Sequence, residues 1–402
     1  MAETRKASRF IVPVAVAGVA AATIGLVPAL AASGDPDLPE ITAQQLIEKI
    51  AASDTQTLSG TFRISTDLGL PLGGLTSALG GIGGGAGGDS SADPSAKLTE
   101  LVSGSHTLRI AADGPERQRL TLLDGSDEYS LIHNADDVWA YDSKSGEVFH
   151  EKAPADAGAP DAGKDAPKDK ELPGTPKQLA DEVLKAAGDT TSITVDGTAK
   201  VAGRDAYQLL IKPKQAGSTV ASVKIAVDAA NGTPLKFTLN SVEGGKPVVD
   251  AGFTKIDFSK PAASDFTFKV PEGAKVTEGA AEKAAEEAEG ATGGPFGGEL
   301  PGGLGEAFGL GAGTGEDGVN VIGEGWTTIA KLDTGAPAPR TDEAPKEVQG
   351  LLDSLGDKVD GPFGSGTVFK TKIVNALLTD DGRVYVGAVT KDALVNAANA
   401  DK

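Results

Sequence analysis

The sequence predicts an α+β protein whose main body is a long antiparallel sheet accompanied by two helices. Three observations support this: short segments in which apolar and polar residues alternate, turn signals between them, and two capped amphipathic segments. Residues 222–228 and 234–240 alternate around Asn231-Gly232, the strongest short-range signal of a β-hairpin. A sheet of about ten strands tends to curl or close. We therefore expect a curved sheet with an open face that the helices can cover.

The same alternation predicts strands on both sides of this hairpin. Turn pairs such as Asp124-Gly125 and Ser145-Gly146 separate several of them. The predicted strands run through residues 57–66, 106–112, 117–123, 128–133, 138–141, 147–151, 207–212, 255–258 and 266–270.

Two segments carry the start signals of helices. Thr42 and Gln45 form a capping box, and apolar residues on one helical face follow it. Thr175 and Gln178 repeat the box, and the proline between them stands at the first helical position, where its missing N–H does no harm. Because both segments are short and amphipathic, we expect each helix to lie on the sheet.

Glycine clusters mark the segments that contribute little to a core. The chain has 54 glycines in 402 residues, and residues 69–88 and 293–318 are particularly rich in them. Glycine brings no side-chain area and loses the most backbone entropy on folding. We place insertions at 68–98 and 152–174 within a body spanning 40–277. The first insertion also carries several leucines, so it is either a plain linker or a flap over an apolar pocket.

A small C-terminal region follows the body. Residues 278–318 are predicted to be an Ala/Glu-rich and Gly-rich linker, and residues 319–398 a small α/β extension. Its predicted elements are strands at 319–321, 326–331, 368–378 and 383–389 and a helix at 346–355. We expect this region to fold, with docking on the body as one way for so short a segment to be stable.

The N-terminus has the pattern of an export signal. Arg5, Lys6 and Arg9 precede an uncharged run that ends at Ala29-Leu30-Ala31, as in a secretory signal peptide over residues 1–31. The run is also long enough to span a bilayer, so an uncleaved N-terminal anchor stays open. Either way, we expect the rest of the chain to be extracytoplasmic: secreted, periplasmic or in the cell envelope.

Composition excludes several functions. A formal net charge of −20 argues against nucleic acid as a partner, since its binding needs clustered Lys and Arg. The lack of cysteine removes disulfides, thiolate metal sites and cysteine nucleophiles. The three histidines show no metal-ligand spacing, and no serine stands in a nucleophile elbow. We therefore predict no catalytic residues, no metal, no cofactor and no enzymatic activity.

Three motifs of the body resemble the LolA/LolB-like lipoprotein-carrier fold family. These are a tryptophan–tyrosine strand pair at 138–148, a strand–turn–strand at 225–235, and closing segments at 253–273. The RseB/MucB sensors and the LppX/LprG-type lipid-binding proteins share that architecture. The resemblance implies a curved, unclosed antiparallel β half-barrel with a helical lid over an apolar cavity. The chain departs from the family in its missing lipid-modified cysteine, its Gly-rich insertions and its C-terminal extension.

The resemblance implies an exported carrier that holds acyl chains of lipids or lipoproteins in the apolar cavity. Two alternatives stay open: a regulatory envelope-sensing module of RseB/MucB type that binds a membrane-anchored protein, and a structural protein of the cell envelope. Aromatic residues of the strands are the candidate cavity wall, and we expect Trp139→Arg to abolish acyl-chain binding. The candidates are Tyr129, Trp139, Tyr141, Phe237, Phe253 and Phe258.

Overall fold

The computed structural model describes residues 35–69, 90–94, 97, 104–152, 181, 184–185, 187–279, 319–333 and 356–401. Two sheets organise this part of the chain, one of twelve strands and one of six. The first helix is α1 (Ala43–Ala51). The strands of the larger sheet are β1 (Thr57–Thr66), β2 (Gly104–Asp113), β3 (Arg117–Asp124), β4 (Asp127–Asn134), β5 (Asp137–Asp142), β6 (Glu147–Lys152), β7 (Thr191–Val201), β8 (Arg204–Pro213), β9 (Val220–Asp228), β10 (Pro234–Ser241), β11 (Val249–Asp257) and β12 (Lys275–Glu278).

The larger sheet is curved and does not close into a barrel. Its strand order is β12-β6-β5-β4-β3-β2-β1-β11-β10-β9-β8-β7, which leaves β12 and β7 as edges. Every neighbouring pair is antiparallel except β12 and β6, which are parallel. Two runs of consecutive hairpins, β1–β6 and β7–β11, therefore join through the β1–β11 pairing. The predicted α+β half-barrel is confirmed.

Helix α1 defines the two faces of this sheet. The Thr42 hydroxyl accepts from the Gln45 backbone N–H, and the Gln45 side chain accepts from the Thr42 N–H, so the predicted capping box is formed. Leu46 and Ile47 are buried in one cluster with Tyr207 and other apolar residues of β7–β9. We call the side of the sheet that carries α1 the α1 face, and the other side the rear face.

Cross-strand pairing carries this assignment across the sheet, because directly paired residues project to the same face. Starting from Leu209 under α1, the pairing runs through Ile225, Phe237 and Ala251 to Ile64. From β1 it continues into the core of β2–β6. The α1 face there holds an apolar cluster: Leu58, Phe62, Leu108, Ile110, Leu120, Leu122, Tyr129, Leu131, Ala140 and Phe149.

The second predicted helix lies mostly outside the described residues, including its capping box at 175–178. Residues 181, 184, 185 and 187 are helical, and Leu184 packs against the same cluster as α1. The Gln44 side chain also donates a 3.0 Å hydrogen bond to Asp181. This part of the helix therefore lies beside α1.

The predicted strand at 266–270 is wrong. Residues Ala263–Phe266 form a 3₁₀ helix that contacts β3 and β4, and Phe266 is fully buried. The Asp265 carboxylate accepts from the Ala262 backbone N–H, which favours the turn over a strand. The alternating phenylalanines thus cover the rear face of the sheet instead of joining it, and the chain adds the short strand β12 nine residues later.

The smaller sheet has the order β13-β14-β18-β17-β16-β15, and a helix, α2 (Lys391–Ala400), covers one of its faces. The predicted single strand at 368–378 is two strands separated by a turn, and neither α2 nor β15 was predicted. The predicted helix at 346–355 lies outside the described residues. The strands are β13 (Val319–Ile322), β14 (Ile329–Asp333), β15 (Gly356–Gly361), β16 (Gly364–Phe369), β17 (Asn375–Thr379) and β18 (Arg383–Gly387).

The C-terminal region packs directly on the larger sheet. Ile373 and Ala388 of the region are buried in one cluster with Val220 and Val248 of the body. The Thr219 backbone N–H donates to the Ala388 carbonyl at 3.0 Å, and its hydroxyl donates to the Ile373 carbonyl. A buried apolar contact and main-chain hydrogen bonds therefore hold the two sheets together.

The predicted signal segment at 1–31 and most of the 278–318 linker lie outside the described residues. So do residues 153–180 and most of the first insertion. Within the part that is described, no helix is long and apolar enough to cross a membrane.

Candidate apolar binding groove

Two neighbouring cavities open on the α1 face and meet at Gln118. The larger has a volume of about 590 Å³, and the smaller of about 280 Å³. Leu58, Ala112, Pro234 and Phe253 give the larger one its apolar lining. The smaller one has an apolar lining of Ile110, Ala111, Leu120, Leu131 and Val138, and Arg119 and His133 add polar groups to it. We call the two together the groove.

Strand pairing makes the floor of the groove continuous. Leu58 pairs with Ala112, and Ile110 pairs with Leu120, which pairs in turn with Leu131. Directly opposite side chains on one face lie close enough to touch. Leu120 and Leu131 are half-buried, so part of their apolar surface is open to the groove. The floor is therefore mainly apolar across four strands, with Gln118 lying where the two cavities meet.

The rim of the larger cavity is polar and almost uncharged. The Thr55 and Thr233 hydroxyls lie 2.8 Å apart, and Ser53 lies 3.4 Å from each. Gln56 and Gln118 add amide groups at the same mouth. Among the described residues that line this cavity, Asp54 alone carries a formal charge. The rim offers hydrogen bonds and no cation.

The returning end of the first insertion lies on the α1 face, over β4–β6. The buried Tyr129 hydroxyl donates a 3.0 Å hydrogen bond to the Ala92 carbonyl, and burial raises its pKa. Glu147 accepts from the Ser91 backbone N–H at 2.7 Å, and this bond, helped by Lys275, lowers the Glu147 pKa to about 2. Residues 90–92 thus cover the end of the face away from the larger cavity.

Three of the six predicted wall residues lie on the α1 face. Phe253 is buried and lines the larger cavity. Tyr129 is at the covered end, under Ala92. Phe237 is half-buried and pairs with Ile225 in β9, next to the strands under α1. The sequence therefore placed these three on one face, but only Phe253 reaches the groove.

Trp139 and Tyr141 lie on the rear face. They pair with Ile132 and Ser130, one residue out of phase with the α1-face residues of β4. Phe268 covers both, with ring centroids 5.4 and 5.9 Å away. The expectation that the two share a face agrees with this placement. Their wall role stays a prediction, and it would need a binding surface other than the groove.

Phe258 follows the last residue of β11. The Arg204 guanidinium lies 4.9 Å from its ring centroid, and Arg204 also forms an ion pair with the fully buried Asp228. The hydrogen bond to Asp228, together with the negative charge of that carboxylate, raises the pKa of Arg204. Phe258 therefore lies at the end of the sheet, beside Arg204 and against the apolar cluster of the α1 face that includes Leu58 and Phe253. Its wall role stays a prediction.

The rear face also holds a histidine between two carboxylates. His150 stacks on Trp139 at a centroid distance of 3.7 Å. Its Nε2 lies 2.9 Å from Asp137 Oδ1, and its Nδ1 lies 2.8 Å from Glu278 Oε2. Burial disfavours the charged ring, but the hydrogen bonds to the two carboxylates outweigh it, so the His150 pKa is raised. Glu278 belongs to β12, so this contact fastens the parallel edge strand.

The aliphatic floor of the groove was missed by the sequence-based choice of wall residues. Leu58, Ile110, Leu120 and Leu131 all lie on predicted strands, and their alternation marks them as residues of one face. The choice favoured aromatic residues, which carry more area each. The available signal was the pairing of these strands as consecutive hairpins. It puts Ile110, Leu120 and Leu131 in one row and Leu58 on the same face, two residues out of that row.

No group of three or more potential metal ligands occurs among the described residues. The predicted absence of catalysis stays a prediction.

Comparison with known proteins gives a family-model match to part of the body. The sequence model of the MucB/RseB N-terminal domain matches residues 98–271. No curated protein matches the chain. A solved complex of MucB with MucA from Pseudomonas aeruginosa has 16% identity and a TM-score of 0.36, covering 89% of this chain and 96% of that chain.

A LolA-superfamily protein from Nitrosomonas europaea has 12% identity and a TM-score of 0.20, covering 57% of this chain and 99% of that chain. The family match spans strands β2 to β11, which form the greater part of the groove and its surroundings. The match to the MucB/RseB N-terminal domain agrees with the RseB/MucB-related fold that the sequence motifs of the body predict.

Proposed function

We propose that this protein is an extracytoplasmic binding module that takes an apolar chain, such as the acyl chain of a lipid or lipoprotein, into the groove. The observation that carries the proposal is the continuous aliphatic floor formed by Leu58, Ile110, Leu120 and Leu131. The predicted export signal and the match of residues 98–271 to the MucB/RseB model support placing this role in the cell envelope.

The physical basis is the transfer of apolar surface out of water. Each Å² of apolar surface that ligand and groove bury together is worth about 25 cal/mol. The cavity of about 590 Å³ is of the size that holds small ligands. A long hydrocarbon chain needs no polar partner along its length, and the floor offers none. The groove thus suits a chain better than a compact polar metabolite.

The rim favours an uncharged head group. Ser53, Thr55 and Thr233 can exchange hydrogen bonds with hydroxyl groups of a ligand. A phosphate at the mouth of the larger cavity would meet Asp54, and the described residues that line that cavity include no cation; Arg119 lines only the smaller cavity. Burying an unpaired charge is costly. We therefore expect a glycerol-like or sugar-like head group to bind more tightly than a phosphorylated one.

The direct test is titration of the purified protein with a fluorescent monoacylglycerol. Leu120→Arg places a charge in the floor and should weaken binding by about tenfold or more, because the charge must be buried beside the chain. Lysophosphatidic acid with the same labelled chain should bind more weakly than the monoacylglycerol.

Val242→Arg is the matched control. Val242 is 54% exposed in a turn of the same sheet, so this variant introduces the same charge away from the groove and should bind normally. Circular dichroism must show both variants folded. Equal affinities of the two variants for the monoacylglycerol would contradict the proposed site.

A regulatory module that binds a membrane-anchored envelope protein is the second candidate. The family match bears the name of MucB and RseB, and the MucB structure above contains MucA. Purifying the protein together with its membrane-bound partners, with and without saturating monoacylglycerol, distinguishes the carrier from the regulatory module. A stoichiometric membrane protein that the lipid releases supports regulation, whereas lipid binding without such a protein supports the carrier.

A further inference from the structure

In the central strands of the larger sheet, the positive charge lies on one side. Six adjacent strands, β3, β2, β1, β11, β10 and β9, contain lysine or arginine, and strand pairing puts each of these residues on the rear face. For example, Thr61 of β1 pairs with Arg109 on one side and with Lys255 on the other, so all three project to the same face. Arg109 is next to Ile110 along β2, and Ile110 projects to the α1 face. The residues are Arg63, Arg109, Arg117, Arg119, Lys224, Lys236 and Lys255.

Four of these seven residues have partners within the protein. Arg117 pairs with Asp113 at 2.5 Å, Lys236 with Asp250 at 2.9 Å, and Lys224 with Asp196 at 2.7 Å. Arg119 donates to the Asp265 carbonyl at 3.2 Å. These contacts stabilise the fold and leave little free charge at their positions.

Arg63, Arg109 and Lys255 differ, because all three are exposed and form no ion pair within the described residues. Arg109 in β2 and Lys255 in β11 lie on the strands either side of Thr61 in β1, so their Cα atoms are about 10 Å apart. Arg63 is two residues from Thr61 on the same strand, about 7 Å along it. We call these three side chains with Thr61 the Thr61 patch.

The patch lies on the open part of the rear face. The 3₁₀ segment at 263–266 packs on β3 and β4, and Phe268 packs on Trp139 and Tyr141 of β5, whereas the three side chains of the patch are exposed. Asp257 lies two residues from Lys255 on the same face, so the patch is not free of acidic neighbours. Even so, in a chain with a formal net charge of −20, three exposed cations without an ion pair among the described residues are a local reversal of charge. Such a reversal attracts an anionic partner that the rest of the surface repels.

We propose that the Thr61 patch binds an acidic, extended segment of a partner polypeptide. Side chains on one face of an extended peptide repeat about every 7 Å, which matches the separation of Thr61 and Arg63 along β1. Carboxylates suit the two arginines, whose guanidinium groups bind them in a bidentate manner. This interaction is independent of lipid binding on the α1 face.

A membrane surface fits the patch less well. Electrostatic attachment to anionic lipids takes clusters of roughly 4–8 basic residues. The patch offers three, and the acidic remainder of the chain would be repelled by the same lipids. An acidic peptide needs to reach only the patch itself.

The test is fluorescence anisotropy of the full chain with a labelled peptide of alternating glutamate and serine. Binding should weaken as salt is raised. The variant Arg63→Gln/Arg109→Gln/Lys255→Gln should bind at least about tenfold more weakly, because three charge-assisted hydrogen-bonding groups are lost. A peptide of alternating lysine and serine should not bind.

The matched control is Lys212→Gln/Lys269→Gln/Lys358→Gln, which removes the same charge from exposed positions elsewhere. It should keep its affinity within about twofold. Equal losses in the two variants, or no binding by the unmodified chain, would overturn the proposal. Patch-dependent binding to phosphatidylglycerol vesicles without peptide binding would also overturn it, in favour of a membrane surface.

Discussion

At the scale of single residues, His150 is the group whose charge state matters most for the fold. Its two ring nitrogens contact Asp137 in β5 and Glu278 in β12, and its ring stacks on Trp139. The His150 pKa is raised in the folded protein. Its contribution to stability is therefore complete below the unfolded-state pKa of about 6.5 and is lost as pH rises through the folded-state value.

We predict that His150→Gln lowers the free energy of unfolding by about 1 kcal/mol near pH 5.5, and that this difference from the unmodified protein shrinks above neutral pH. Urea denaturation at several pH values measures it. His133→Gln is the control, because its ring contacts no carboxylate in the described part of the chain. A difference for His150→Gln that does not change with pH would contradict the prediction.

The rear-face aromatics show what a single-residue pattern can predict. The spacing of Trp139 and Tyr141 correctly indicates that both lie on one face, since side chains alternate along a strand. Whether that face carries α1 or Phe268 depends on where these two pack on the sheet. The alternation of residues along a strand does not indicate this. The placement also reverses the expectation for Trp139→Arg, which should leave binding in the groove intact.

At the scale of elements, the sequence was sufficient where local signals and tertiary packing agree. The strand predicted at 57–66 is observed with the same bounds, and the hairpin around Asn231-Gly232 is formed. Gly232 has a φ of 79°, and a Cβ there would meet the Lys49 carbonyl oxygen at 2.3 Å, so the turn and its contact with the end of α1 both require glycine.

Elements were missed where a side chain replaces a standard turn signal. The Thr371 hydroxyl accepts from the Ile373 and Val374 backbone N–H groups and donates to the Val374 carbonyl. This turn divides the predicted strand at 368–378 into β16 and β17, and no glycine or proline marks it. The strand predicted at 266–270 is wrong because the pattern is there but the pairing is not. Its alternating phenylalanines pack on the rear face of the sheet and do not form a strand within it.

At the scale of the whole molecule, the two sheets are joined by a buried contact. Ile373 is 1% exposed and lies with Val220 and Val248 across the boundary. Trp326 adds a 2.7 Å hydrogen bond from its indole N–H to the Thr191 hydroxyl. The sequence could not predict this docking, because these apolar residues look the same in sequence as residues that are buried within a single sheet.

We predict that the described parts unfold in one cooperative transition and that Ile373→Ala lowers the free energy of unfolding by about 3 kcal/mol, through the cavity it leaves. Differential scanning calorimetry measures both. Ile322→Ala, at a half-buried position in β13 away from the contact, is the control and should cost less. Two independent transitions in the unmodified protein would argue against a shared core.

The central claim is that an apolar chain lies along the α1 face. Paramagnetic NMR of methyl-labelled protein with a monoacylglycerol carrying a nitroxide on its chain tests this most directly. The account predicts strong broadening of the Leu120, Leu131 and Ile110 methyl signals and an unaffected Trp139 indole signal, because Trp139 is on the rear face. Broadening centred on Trp139, or no broadening of the floor methyl groups at saturation, would contradict it.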